Sequence, residues 1–406
     1  MIILLLLLAL VFPSFAWSTT YYVATNGSGS TCSFGSPCGT IAVGVGKLSA
    51  GAGDILYLRG GTYNDTIGYP GPIPPSGTTF SNAATIAGYP GEVAIVQRVN
   101  VNTSAHHIIF QNLVIDNVNG PGDSAIVVIY DPSPGSGVPG DNYLRFVDVE
   151  GKNWNANTSA GAIIFSNHNE FTRVKMHDNI SVPGETRSHG YYINGSFNTV
   201  SDGEIYNCTG YGVQIFNGYV GGETAAHDNV VSGNRIHNNG SGGVNPGGII
   251  LSHGANNIAY NNLVYGQLVG GSGIDSDYSA SNTQIYNNTI YSNNGNGMNI
   301  GPGSTNAVIK NNIIFSNGGI PVNDHGVSTI QSNNLTTDPS FVDASLNNFH
   351  LQVTSVAINA GVTLLEVPTD ISGILRPQGS AYDIGAYEFV SSQPKSQRVV
   401  RNSSGG

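Results

Sequence analysis

The stretches VSGNRIHNN (231–239), IAYNNLVYG (258–266), IYNNTIYSN (285–293) and VIKNNIIFS (308–316) decide the architecture. Each carries an Asn followed two residues later by a β-branched side chain. Used as an anchor, that slot runs through Asn112, Val147, Val174, Gly203, Asn234, Asn262, Asn288, Asn312 and Asn334, in steps of 35, 27, 29, 31, 28, 26, 24 and 22 residues. A second motif recurs within the steps: Gly190-Tyr191-Tyr192-Ile193, Gly212-Val213-Gln214-Ile215, Gly248-Ile249-Ile250-Leu251, Gly273-Ile274-Asp275-Ser276 and Gly297-Met298-Asn299-Ile300. Its alternation has period two, so each copy reads as a short strand with one buried face. Two or three such strands per step leave no room for crossover helices. Coils stacked on similar coils, a β-solenoid, bury these faces. Stacked at about 4.8 Å per coil, Asn234, Asn262, Asn288, Asn312 and Asn334 would form an internal amide ladder, each amide donating to the next coil.

The ends add to this. YYVATNGSGS (21–30) with GAGDILYLRGGTY (51–63), and DPSFVD (338–343), NNFHL (347–351) and YDIGAYEF (382–389), resemble the terminal regions of the pectin-lyase-like superfamily of right-handed parallel β-helices. The resemblance covers roughly residues 20–390. It implies an all-β, right-handed parallel β-helix with a short N-terminal capping helix, formed where Ile41, Val45 and Leu48 recur at helical intervals. Covers at both ends keep exposed strand edges from pairing between molecules. The expected organisation is a signal peptide (1–16), an N-terminal cap and first coils (17–105), β-helix repeats (106–336), a closing segment (337–390) and a polar, disordered tail (391–406).

Ile2 to Phe12 is unbroken apolar sequence, and Ser14-Phe15-Ala16 supplies the small residues of a cleavage site. About a dozen apolar residues are too few to span a bilayer, so export to an extracellular location is expected, with no membrane span after cleavage. The chain has 55 Gly, 10% charged residues and a formal charge of −11. Its Gly and Asn suit many tight turns, and its charge argues against a nucleic-acid partner, which needs clustered cations. Cys32 and Cys38 are close enough in sequence to pair after export, Cys208 reads as a small buried hydrophobe, and no Cys/His spacing resembles a zinc site.

For function, the resemblance implies a polysaccharide or surface glycan lying along the outer face of one sheet. In the Gly-started strands, residues one and three after Gly should point inward, residues two and four outward. Tyr192, Asn194, Gln214, Phe216 and Asn299 are therefore candidate substrate-binding residues, joined by His253 one slot beyond Ser252, with the Asn217–Asn229 insertion expected as a flanking loop. Asp275 and Asp277 share the outward face of one strand with Cα atoms about 6.5–7 Å apart. Inverting glycosidases hold their acid and base carboxyls about 6.5–9.5 Å apart. Alternatively the pair binds Ca²⁺, as the resemblance to β-helix lyases implies; no cofactor is otherwise indicated. A second candidate group, His189 and Arg187 with Tyr191 or Tyr192, resembles a base-and-acid set for β-elimination from a uronic acid. It lies three coils, roughly 14 Å, from Asp275, so one centre should not use both. Arg173 and Lys175 could face an acidic glycan, and Trp154 is either a sugar platform or a packing plug. Three classes follow: a glycoside hydrolase or polysaccharide lyase, a glycan-binding or adhesion module without turnover, and a structural β-helix.

Overall fold

A computed structural model describes residues 18–118, 124–130, 139–154, 160–179, 188–216, 226–243 and 246–391. The expected signal peptide, Arg187, residues 217–225 of the insertion and the tail beyond 391 lie outside them. The period-two segments form parallel strands on three faces. The first face runs from Thr20–Val23 through Ile55–Leu58 to Ile330–Ser332, twelve strands in one sheet. The second runs from Leu113–Asp116 to Ile313–Phe315, and the third from Ile126–Ile129 through His189–Ile193, Tyr211–Ile215, Gly247–Ser252 and Ser272–Asp277 to Met298–Ile300 and Val322–Asp324. The long strand Ala94–Asn102 pairs with both Leu113–Asp116 and Ile126–Ile129, which joins the second and third faces.

In-register stacking puts like side chains over like inside the coil. Phe110, Phe146 and Phe171 are register partners with ring centroids 4.9 and 4.8 Å apart. Tyr191, Val213, Ile249, Ile274 and Met298 form a wholly buried column on the third face. The glycine before each of these faces inward as well: a Cβ on Gly273 would run into Ile290 of the second face, and one on Gly248 into Val264. Two successive inward positions break the alternation at the entry to each strand.

Three corners carry amide ladders. At the first-to-second corner Asn234, Asn262, Asn288, Asn312 and Asn334 bond Nδ2 to Oδ1 at 3.0–3.1 Å. Each Oδ1 also accepts the backbone N–H of the preceding Asn in the column. Asn239, Gln267, Asn293 and Asn317 form a second ladder, and Asn169, Asn198, Asn229 and Asn257 a third. The expected register is corrected at its start. Val147 pairs with Gln111 in the strand before the corner. Asn112 occupies the left-handed outer slot (φ 52°) that Asp148, Arg173 and Asp202 share. That conformation also favours Asn and Asp, so an Asn there mimics the ladder.

The Asn doublets use both properties. Asn261, Asn287 and Asn311, left-handed at φ 55°, 48° and 59°, point outward and donate to the carbonyls of Thr369, Asp383 and Val362. The C-terminal segment is thereby held against the flank of the last coils. There Phe341, Phe349, Leu351 and Ile384 cover Leu263, Tyr265 and Ile313, while Ile320, Val327 and Ile330 of the final coil are 52–58% exposed. Its own centre is the buried Arg376–Glu388 pair, 2.8 Å apart. At the other end, a single helical turn, Ile41–Val45, starts at a Thr40 cap and buries Ile41, Gly44 and Val45; Cys32 and Cys38 are disulfide-bonded.

Candidate functional site

The third face presents its outward slots in register: Tyr192, Gln214, Ile250, Asp275 and Asn299 in one column, with Ser252 and Asp277 partnered in the next. Asp275 is 6% exposed. Its Oδ2 accepts from the Tyr211 hydroxyl at 3.0 Å and its Oδ1 from Asn299 Nδ2 at 2.7 Å. Burial pushes its carboxyl up to about 6; the Asn299 and Tyr211 hydrogen bonds oppose this and the Asp277 charge adds to it. Burial, and then the Asp275 carboxylate, drive the Tyr211 phenol well above its usual range, so it stays a donor.

Tyr211 reaches Asp275 from two coils away because Gly247, between them in register, has no side chain. A Cβ there would sit 2.5 Å from Tyr211 Cε1. Asp277 leans over the next coil in the same way, into space that a Cβ on Gly301 would occupy. Asn299 also donates to Ser272 Oγ at 2.7 Å and accepts from Asn296, which fixes its amide orientation. Beside Asp277, the rings of Phe216, His253 and Tyr278 cluster: Phe216 meets His253 edge-on at 4.8 Å and Tyr278 at 5.8 Å, and His253 stacks on Tyr278 at 5.3 Å. Burial holds the His253 imidazole below its usual range, with Asp277 pulling the other way.

His189 stacks on Tyr211, with centroids 5.8 Å apart, and its Nδ1 accepts the Tyr211 backbone N–H at 2.8 Å. A ring nitrogen that accepts carries no proton, so the neutral ring holds its hydrogen on Nε2. In that tautomer His189 has no lone pair left to act as a base. The two groups that spacing kept apart are thus joined through Tyr211.

With that geometry in view, residues 220–335 match the family model described as a right handed beta helix region. The chain folds as a right-handed parallel β-helix. The solved structure of pectate lyase Pel9A is similar over 92% of this chain and 97% of its own, with TM-score 0.65 and 18% identity. XylC, solved in complex with xylose, is similar over 91% of this chain and 98% of its own, with TM-score 0.53 and 10% identity. No curated protein matches the sequence significantly.

Tyr192, Gln214 and Asn299 share the third-face column of Asp275, and Asn194 directly follows the strand His189–Ile193. Tyr192 is 5% exposed, with its ring 6.2 Å from both His189 and Phe216. Tyr211, Ser272 and Tyr278 escaped the sequence reading. The first two precede Gly212 and Gly273 directly, as His189 precedes Gly190, and that slot faces outward because glycine and its successor both face in. Trp154 is a packing plug, wholly buried, with Nε1 donating to Ser188 Oγ at 2.8 Å. Arg173 and Lys175 are engaged with Asp148 at 2.6 Å and Glu204 at 3.1 Å. Ca²⁺ fits the carboxylate pair poorly. It takes six to eight oxygens (roughly), whereas both Asp275 oxygens already accept from neighbours, and no group of three His, Cys, Asp or Glu converges among the described residues. Among those residues, no helix is long and apolar enough to cross a membrane.

Proposed function

We propose that this β-helix is exported and cleaves a polysaccharide by hydrolysis on its third face, with Asp275 as general acid and Asp277 as general base. The helical turn Ile41–Val45 then serves as the N-terminal cover of the stack. The observation that carries the reaction is the pairing on one strand of a buried carboxyl, raised to about 6, with the more exposed Asp277. At mildly acidic pH the first holds a proton that it can give to a leaving oxygen, as the acid of a glycoside hydrolase must. Asp275 protonates the glycosidic oxygen as its bond to the anomeric carbon breaks. Asp277 takes a proton from the water that attacks that carbon. The sum is one water consumed and one new reducing end, with both carboxyls restored by proton exchange. Elimination is disfavoured because His189 accepts from Tyr211 N–H and lacks the free lone pair that abstraction from a uronic acid requires.

Digestion of a glycan panel, read for reducing ends and for absorbance of unsaturated products, tests this directly. New reducing ends without unsaturated absorbance are expected. Unsaturated products would replace the hydrolase with a lyase, and a glycan bound but never cut would make the protein a binding module.

A further inference from the structure

We infer that the glycan of the third face is a neutral, hydroxyl-rich polysaccharide and not a uronic-acid polymer; the inference rests on the polysaccharide reading above and names its substrate class. The face holds buried acceptors that have no partner. Asp277 brings carboxylate oxygens, whereas both Asp275 oxygens already accept from Tyr211 and Asn299. Asn194 Oδ1 and Gln214 Oε1 are buried and have no hydrogen-bond partner, on side chains that are 5% and 9% exposed. Gln214 lies on the Tyr211 strand itself and Asn194 in the coil before it. An unpaired buried acceptor is satisfied by a donor, and sugar hydroxyls are donors. A ligand carboxylate brings only further acceptors, and its charge repels Asp277.

Among the described residues, the cations that would offset such repulsion are elsewhere, Arg187 lying outside those residues. The strands His189–Ile193, Tyr211–Ile215, Gly247–Ser252, Ser272–Asp277 and Met298–Ile300 contain no Lys or Arg. Arg145 is bound to Glu170 at 2.7 Å on the first face, and Arg235 donates to the Tyr387 hydroxyl at 3.0 Å on the second. His189, with Nδ1 accepting the Tyr211 N–H, is neutral and supplies no countercharge. Tyr278, 47% exposed, with half-buried Phe216 and exposed His253, adds aromatic surface of the kind that meets the apolar C–H face of an uncharged sugar.

Affinity electrophoresis of the full chain in gels containing xylan, glucomannan, polygalacturonate or alginate tests this. Xylan or glucomannan should retard the protein at least about tenfold more strongly per unit mass than either uronate polymer. That retardation should change less than about twofold between roughly 0.05 and 0.5 M NaCl, because screening acts on charge pairing. Gln214→Leu, with Asn194→Leu as the alternative if the first fails to fold, should weaken neutral binding by about tenfold. Stronger retardation by polygalacturonate or alginate, fading with salt, would overturn the inference, as would no retardation by any of the four. Cleavage of a uronate polymer that is lost in Asp277→Asn would sink the substrate class and leave the hydrolase standing. A neutral polymer bound and never cut would do the reverse.

Discussion

Asp275 owes its chemistry to what its neighbours lack. Gly247 has no side chain, so the Tyr211 ring crosses a whole coil to donate to Oδ2. That bond and the one from Asn299 favour the charged form and hold the carboxyl down to about 6 against burial. If Asp275 acts as the acid, activity falls as pH rises through that value. Tyr211→Phe keeps the ring and removes the donor, so the carboxyl rises further and the alkaline limb of the pH–rate profile moves to higher pH. Gly247→Ala should move it the same way by displacing the ring. A profile unchanged in both variants would show that Asp275 is not the titrating acid. Asp275, Asp277 and Asn299 were legible from spacing alone, because strict alternation fixes slots two and four after each glycine. Tyr211 was not. Its slot breaks the alternation, and the contact it makes skips a coil, which no local pattern encodes.

The ladders are the unit of the solenoid's stability at the scale of the single turn. Each amide spends its donors on the next coil and on a carbonyl of the coil before, as Asn288 does with Asn312 Oδ1 and Ala259 O. Asn288→Leu strands partners in two coils and should cost about 1–3 kcal/mol. Asn102→Leu, at an exposed strand position, should cost under about 0.5 kcal/mol. Denaturant unfolding of the two variants compares them, and equal costs would mean that the buried ladder contributes nothing. One ladder was readable because five Asn recur beside regular β-branched residues. The other two were hidden: Gln267 interrupts one, and variable loops separate the members of the other. The misplaced anchors at Asn112 and Val147 share a cause, since a left-handed outer corner and an inward amide slot both select Asn.

The whole molecule divides its labour by face. The C-terminal segment occupies the outer side of the last coils on the first and second faces, through apolar contacts with Tyr260, Leu263, Tyr286 and Ile313 and through the outward Asn doublets. On the second face Glu150 pairs with Lys152 and His177, Lys175 with Glu204, and Arg235 with Tyr387 of that segment. The third face is left with carboxylates, amides and aromatic rings. Sequence spacing revealed the solenoid because every coil repeats the same burial problem. It could not reveal where the C-terminal segment docks, since those contacts join residues about a hundred positions apart, such as Asn261 with Thr369.

Hydrolysis on the third face depends on the Asp275–Asp277 pair, and turnover of the cleaved glycan by three folded variants tests that dependence. Asp277→Asn and Asp275→Asn keep shape and remove the ionisable groups, so each should lower kcat by at least about a hundredfold with glycan affinity retained. His189→Ala should weaken binding with a much smaller effect on kcat. Full turnover in both Asp variants, with its loss in His189→Ala, would contradict the account and move the chemistry to the His189 coil.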